Sequence, residues 1–160
     1  MQLVEPHDLE RRIERAVEAE LALFGQEVVA DVVDYINEPH GGWRIAMDGT
    51  LANSVISETD IDRGVVSVSI GPTALHGIFR HYGTRPHWAP IDPLKYWVKK
   101  KLGVSEPKDV DAIAYRVQRK IAKHGTEGDP FLSEPFNERR GTVAPRVADA
   151  IATAIGGRVA

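Results

Sequence analysis

Val55-Ile56-Ser57-Glu58-Thr59 and Val65-Val66-Ser67-Val68-Ser69-Ile70, separated by Asp60-Ile61-Asp62-Arg63-Gly64, form the stretch that decides the fold class. In the second segment Val66, Val68 and Ile70 alternate with Ser67 and Ser69. A period of two puts the apolar side chains on one face of a strand and the hydroxyls on the other. The residues at 60–64 are turn formers, so the two segments read as antiparallel strands joined by a turn, with one dry and one wetter face. Gly71-Pro72 stops the second strand. Just upstream, Thr50 reads as the cap of a short helical turn over Leu51 to Ser54.

Outward from this hairpin the periodicity is helical. Leu9, Ile13, Val17, Leu21, Phe24, Val28, Val32 and Ile36 recur at steps of three or four, which keeps one apolar stripe along residues 7–37. Pro6 and Asp8 suit the start of that helix, and Pro39-His40-Gly41-Gly42 ends it. Gly25 inside it marks a bend or a close approach, since glycine in a helix interior costs about 1 kcal/mol relative to alanine. Leu75, Ile78, Phe79 and Tyr82 sit at helical spacing, predicting a short helix over 74–82 with Gly83 just past its end. Asp92-Pro93 reads as a cap followed by the first helical residue, with Leu94, Trp97, Val98 and Leu102 on the apolar side and Gly103 as the stop. Pro107 opens a further helix that turns Val110, Ile113, Ala114, Val117 and Ile121 to one side and closes at Gly125. After a loop at 126–130, Phe131, Leu132 and Phe136 lead into a last helical region. Gly141 interrupts it, Val143, Val147, Ile151 and Ile155 give it a stripe, and Gly156-Gly157 ends it. The fold class is α+β: a long N-terminal helix, a small antiparallel sheet and several C-terminal helices. The chain reads as a single domain over 1–160, with the long helix at 7–37, the sheet and short helices at 43–91 and a helical part at 92–157.

At 160 residues the chain is long enough to bury a core. It has no cysteine, which removes disulfides, thiolate metal ligands and cysteine nucleophiles. No apolar run approaches the ~20 residues of a membrane span, and the Glu-rich start is unlike a secretory signal. The net charge of −3 conceals an asymmetry. Residues 1–38 hold ten acidic and three basic side chains; residues 85–125 hold four acidic and ten basic ones. Segregation of this kind marks surfaces that meet a partner, a second copy of the chain included, or two solvated helix faces.

Catalytic constellations are not legible. There is no Gly-x-Ser-x-Gly elbow and no phosphate loop with its lysine. Asp60 and Asp62 are accounted for by a turn, and Ser54, Ser67 and Ser69 by a turn and a strand face. A metal-dependent hydrolase would have to draw on His76, His81, His87 and Asp92, but His76 and His81 are five apart and point apart on a helix, and Asp92 is accounted for as a cap. A nucleic-acid-binding accessory protein would use the basic stretches Lys95 to Lys101 and Arg116 to Lys123. Lys99-Lys100-Lys101 is the strongest basic run; beside phosphate contact, its plainer account is an exposed helix end with cations at the negative pole of the helix dipole. Trp97 lies on an apolar side and reads as core, whereas Trp88 and Arg85, in a Pro-bounded loop, read as candidate subunit or DNA contacts. No cofactor or metal site is expected.

Three short elements, in order, carry a resemblance. They are Gly49-Thr50-Leu51-Ala52-Asn53-Ser54-Val55, then His81-Tyr82-Gly83-Thr84, then Pro130-Phe131-Leu132. This set resembles the neck and tail-completion proteins of tailed bacteriophages, of the minor tail protein Z type. The matching positions are Gly49, Leu51 and Ser54, then Tyr82, Gly83 and Thr84, then Pro130, Phe131 and Leu132. The likeness spans residues 45–136. Two departures stand out: His81 occupies a position where the family often has Glu, and the segment from Trp88 to Gly125, with its basic helix pair, occurs in only part of the family. The resemblance implies a non-enzymatic virion protein, assembled in the host bacterial cytoplasm. It would act as a ring at the head–tail junction, a hexamer by analogy, joining other neck and tail proteins. Its Lys99, Lys100 and Lys101 would contact either the neighbouring subunit or DNA in the lumen.

Overall fold

The computed structural model describes residues 6–38 and 49–156. The expected helix stop at 39–42, the start of the 43–91 segment and Gly157 lie outside them. The α+β expectation holds. Helix α1 spans Pro6–Asn37, a 3-10 turn Ala52–Ser54, strand β1 Val55–Asp62, strand β2 Val65–Pro72 and helix α2 Leu75–Tyr82. Helices α3 (Ile91–Leu102), α4 (Pro107–His124) and α5 (Ser133–Arg139), a 3-10 turn Arg140–Thr142 and α6 (Val143–Gly156) follow.

Three boundaries differ from expectation. The strands are longer than predicted and the turn between them shorter: β1 and β2 pair antiparallel from Val55↔Pro72 to Asp62↔Val65, leaving only Arg63 and Gly64 as the loop. Both have positive φ, 50° and 79°, as a two-residue type I′ hairpin requires. That turn follows the right-handed strand twist, so Asp60, Ile61 and Asp62 stay in the ladder. The 3-10 turn before β1 starts at Ala52, so Leu51 rather than Thr50 is the residue that precedes it, with no side-chain cap bond from Leu51. Helix α3 begins at Ile91 after Pro90, with Asp92 inside its first turn rather than at its cap. There the carboxylate faces the positive end of the helix dipole, and Pro93 forfeits an N–H that has no intrahelical partner.

Helix α1, about 48 Å long at 1.5 Å per residue, is the spine. Its second half buries Phe24, Val28, Val32 and Ile36 against Leu51, Ala52, Val55 and Phe131, with Val68, Ile70, Leu132 and Val143 packed around them. Val66, Val68 and Ile70 of β2 are half-buried and Ser67 and Ser69 exposed, so the sheet has the two unlike faces expected of it. Gly25 is where the hairpin crosses the helix most closely. A Cβ there would lie 2.9 Å from both Ser57 Cβ and Val68 Cγ2. The helix-propensity cost of this glycine is offset by close sheet packing.

Helix α6 lies alongside α1 in the opposite direction: Arg146 near its start reaches Glu20 and Glu27, while Arg12 donates 2.6 Å to the Ala154 carbonyl near its end. Helices α3 and α4 form a second cluster of their own, burying Val98, Val110 and Ala114 with Leu94, Trp97 and Ile113 at its edge. Leu102, expected on the apolar side of α3, is exposed.

Candidate functional site

The second motif element crosses the loop that leads into the third. Thr84 and Thr126 form an isolated antiparallel bridge, with N–H···O bonds of 3.0 and 3.1 Å in the two directions and their hydroxyls 2.9 Å apart. The bridge needs glycine beside it. Gly83 and Gly125 have φ of 75° and 71°. A Cβ on Gly83 would run into the Thr126 carbonyl, and one on Gly125 into the Thr84 carbonyl. The Gly83-Thr84 pair is thus accounted for by backbone packing, and Gly125-Thr126 is its unpredicted complement.

Around this crossing the motif residues divide. Leu51 and Phe131 are buried in the same core and Leu132 packs against it. Gly49 takes a positive φ of 77° and its carbonyl accepts from Asn53 N–H, while Ser54 Oγ donates 2.7 Å to the Leu51 carbonyl. Asp129 N–H donates to the Arg80 carbonyl, holding Pro130 beside α2. His81 Nε2 lies 3.0 Å from Ser133 Oγ, and its ring stands edge-on to Phe131 at 5.3 Å. His81 therefore ties α2 to α5.

Tyr82 behaves otherwise. Besides Arg80 and His81, helix α2 meets the body at Gly77, where a Cβ would come within 2.6 Å of Pro72, and it directs its apolar stripe outward. Leu75 is 69% exposed, Tyr82 79%, and Ile78 and Phe79 half exposed. Beyond it Trp88 is 65% exposed, as expected for an interface candidate, while Trp97 packs against the α3–α4 cluster. Between α2 and α4 lies an open recess of about 680 Å³ walled by Phe79, Arg85, Pro86, His87, Ala89 and Ile121. Sequence periodicity found this stripe but not the direction it faces.

The charged residues are sorted by region. Arg139 binds Asp31 through Nε and Nη2 and Glu27 through Nη1; Arg146 binds Glu20 and Glu27. The Arg146 guanidinium holds the Glu27 carboxyl below its ordinary range, and the Asp31 carboxylate raises the Arg139 pKa. Three carboxylates of α1, Glu20, Glu27 and Asp31, are therefore matched inside the subunit. These two arginines were not singled out from sequence, although Glu20, Glu27 and Asp31 share one helical side at spacings of seven and four, and Arg139 and Arg146 are seven apart. Tyr35, against Asp129 and Glu134, has its phenol pKa raised, chiefly by burial.

In the α3–α4 hairpin the pattern is reversed. Lys95 pairs with Asp111 at 2.8 Å. Lys100 sits 5.9 Å over the Tyr96 ring. Among the described residues no ion pair engages Arg85, Lys99, Lys101, Arg116, Arg119, Lys120 or Lys123. Lys99 and Lys100 are exposed and Lys101 half-buried. His76, His81, His87 and Asp92 are not gathered: among the described residues no group of three or more His, Asp or Glu is placed to hold a metal ion. His87 Nδ1 instead lies 2.9 Å from the Arg85 carbonyl. Among the described residues no helix is long and apolar enough to cross a membrane.

Compared with known proteins, the chain matches no family model, no curated protein and no solved structure.

Proposed function

We propose that this chain is a non-enzymatic structural protein of a tailed-phage virion, a ring-forming neck or tail-completion adaptor at the head–tail junction. The observation that carries the reading is the bare apolar face of α2. Leu75, Ile78, Phe79 and Tyr82 stand out of the fold together, with Trp88 in the loop that follows. Large contiguous apolar patches are uncommon on monomeric soluble proteins, and aromatic side chains on them are typical anchors of protein interfaces. The face belongs to the same short segment as the Tyr82-Gly83-Thr84 element of the family resemblance. Subunits of a ring cover such a face when they assemble, and partner neck and tail proteins bind the ring that results.

Deleting the gene from its phage tests this. The expected outcome is filled heads and separate tails by electron microscopy, with infectious titre reduced by orders of magnitude. A normal titre, or purified particles that lack the chain by mass spectrometry, overturns the proposal.

A further inference from the structure

Helix α4 buries Val110 and Ala114, which commits the opposite side to solvent. That side carries Arg116, Arg119 and Lys123, spaced three and four apart and therefore on one ridge. None has an ion pair among the described residues. On the body, the end of α1 and helix α5 enclose a cleft of about 420 Å³ whose rim includes Asp34, Glu38 and Glu138. A further carboxylate of that cleft, Asp31, is engaged by Arg139. Asp34, Glu38 and Glu138 are exposed and likewise have no cation partner among the described residues.

We infer that the cationic ridge of α4 docks on the Asp34–Glu38–Glu138 rim of a second copy of the chain. Within one copy the two patches are of opposite sign and do not pair; between two copies a single contact matches both. A nucleic acid would satisfy the ridge but leave the carboxylate rim unmatched. Because the patches are different surfaces, the contact is heterologous, the kind that propagates from copy to copy and closes into a ring when the rotation allows. The inference rests on the ring-forming reading, and it places the acidic half of the contact at the C-terminal end of α1 and on α5.

Charge reversal tests it. One variant carries Asp34→Lys, Glu38→Lys and Glu138→Lys, the other Arg116→Glu, Arg119→Glu and Lys123→Glu. All six side chains are exposed, and circular dichroism checks that each variant keeps the fold. Mass photometry and sedimentation follow assembly. The wild-type chain is expected to assemble at low salt and to weaken about tenfold or more as salt rises, since exposed charges are screened. Each variant alone stays monomeric, and an equimolar mixture reassembles with alternating copies, because the reversed ridge fits the reversed rim. A wild-type chain that is monomeric at low salt and high concentration overturns the inference. So do variants that assemble like the wild type, or folded variants whose mixture stays monomeric. A Lys99→Glu, Lys100→Glu chain on α3 serves as control, and equal weakening there overturns the assignment to α4. Should the α4 variant assemble normally but lose binding to a short DNA duplex of arbitrary sequence, the ridge is a phosphate contact instead. Rings that ignore both reversals leave the adaptor reading standing without this contact. Absence of the chain from particles removes the adaptor reading and leaves the solution result untouched.

Discussion

The body around α1 and the α3–α4 hairpin treat charge in opposite ways. In the body, Arg139 and Arg146 are each clasped by carboxylates of α1, and the apolar residues of α1, the sheet and Phe131 close over one another. In the hairpin a small core of Val98, Val110 and Ala114 supports a surface of cations that mostly have no partner among the described residues. Internally matched charges support a fold. Unmatched charges on a rigid helix cost little in water, and they become useful when a partner of opposite sign arrives. The contrast is between cations held inside the subunit, at Arg139 and Arg146, and cations left to solvent on α4; the body in turn leaves charge of the other sign unmatched among the described residues, at Asp34, Glu38 and Glu138.

Cutting each core is the strongest way to break this comparison. Phe131→Ala removes a fully buried ring from the body and is expected to cost about 3–5 kcal/mol, lowering Tm by about 10 °C or more. The matching cut, Val98→Ala, removes two buried methyl groups and is expected to cost about 2 kcal/mol. Chemical denaturation of both variants checks the ratio; equal losses would erase the distinction between a major and a minor core.

A smaller effect sharpens the boundary between the regions. Gly125→Ala puts a side chain on a backbone with φ of 71°, a conformational strain of about 1–3 kcal/mol, and drives its Cβ into the Thr84 carbonyl, so the bridge must also open. Amide hydrogen exchange should quicken at Thr84, Thr126 and through 85–125, while α1 between Phe24 and Ile36 stays protected. Uniform acceleration across both regions would show that the crossing is not a boundary.

The smallest effect concerns acid. Glu27 has a depressed folded-state pKa, so its contribution to stability is complete above the ordinary carboxylate range and is lost as pH falls through the depressed value. Arg146→Leu removes the main cause. Tm at neutral pH should fall by a few degrees, and the decline of Tm on the acid side should become shallower. An acid limb as steep as that of the wild type would place the acid sensitivity elsewhere.

Much of the fold was legible from periodicity. The stripe from Leu9 to Ile36 and the alternation of Val66, Val68 and Ile70 each correspond to an observed element, because burial of one face imposes its period on the sequence. Boundaries set by local geometry were harder to read. Positive φ is uncommon for a residue other than glycine, so the composition of 60–64 suggests a wider turn than the Arg63-Gly64 pair that forms, and Asp92-Pro93 imitates a cap two residues past the true one at Pro90. The candidate site was legible only in part. Trp88, in its Pro-bounded loop, is legible as a contact candidate and is exposed, yet the stripe from Leu75 to Tyr82 has the same pattern whether it faces a core or a partner. The clasp of Arg139 and Arg146 joins residues more than a hundred positions apart, and spacing along one helix carries no address for a partner on another.

The Thr84–Thr126 bridge has a consequence for how this chain can change over generations. Residues facing each other in an antiparallel pair lie about 5 Å apart, so the segment between them leaves the body and returns at nearly the same point. Its two ends need no rearrangement to meet, and lengthening it adds little closure entropy. The hairpin is therefore a replaceable module: it can be enlarged, exchanged or lost through a single short junction, while the helix and sheet that anchor the body keep their connections.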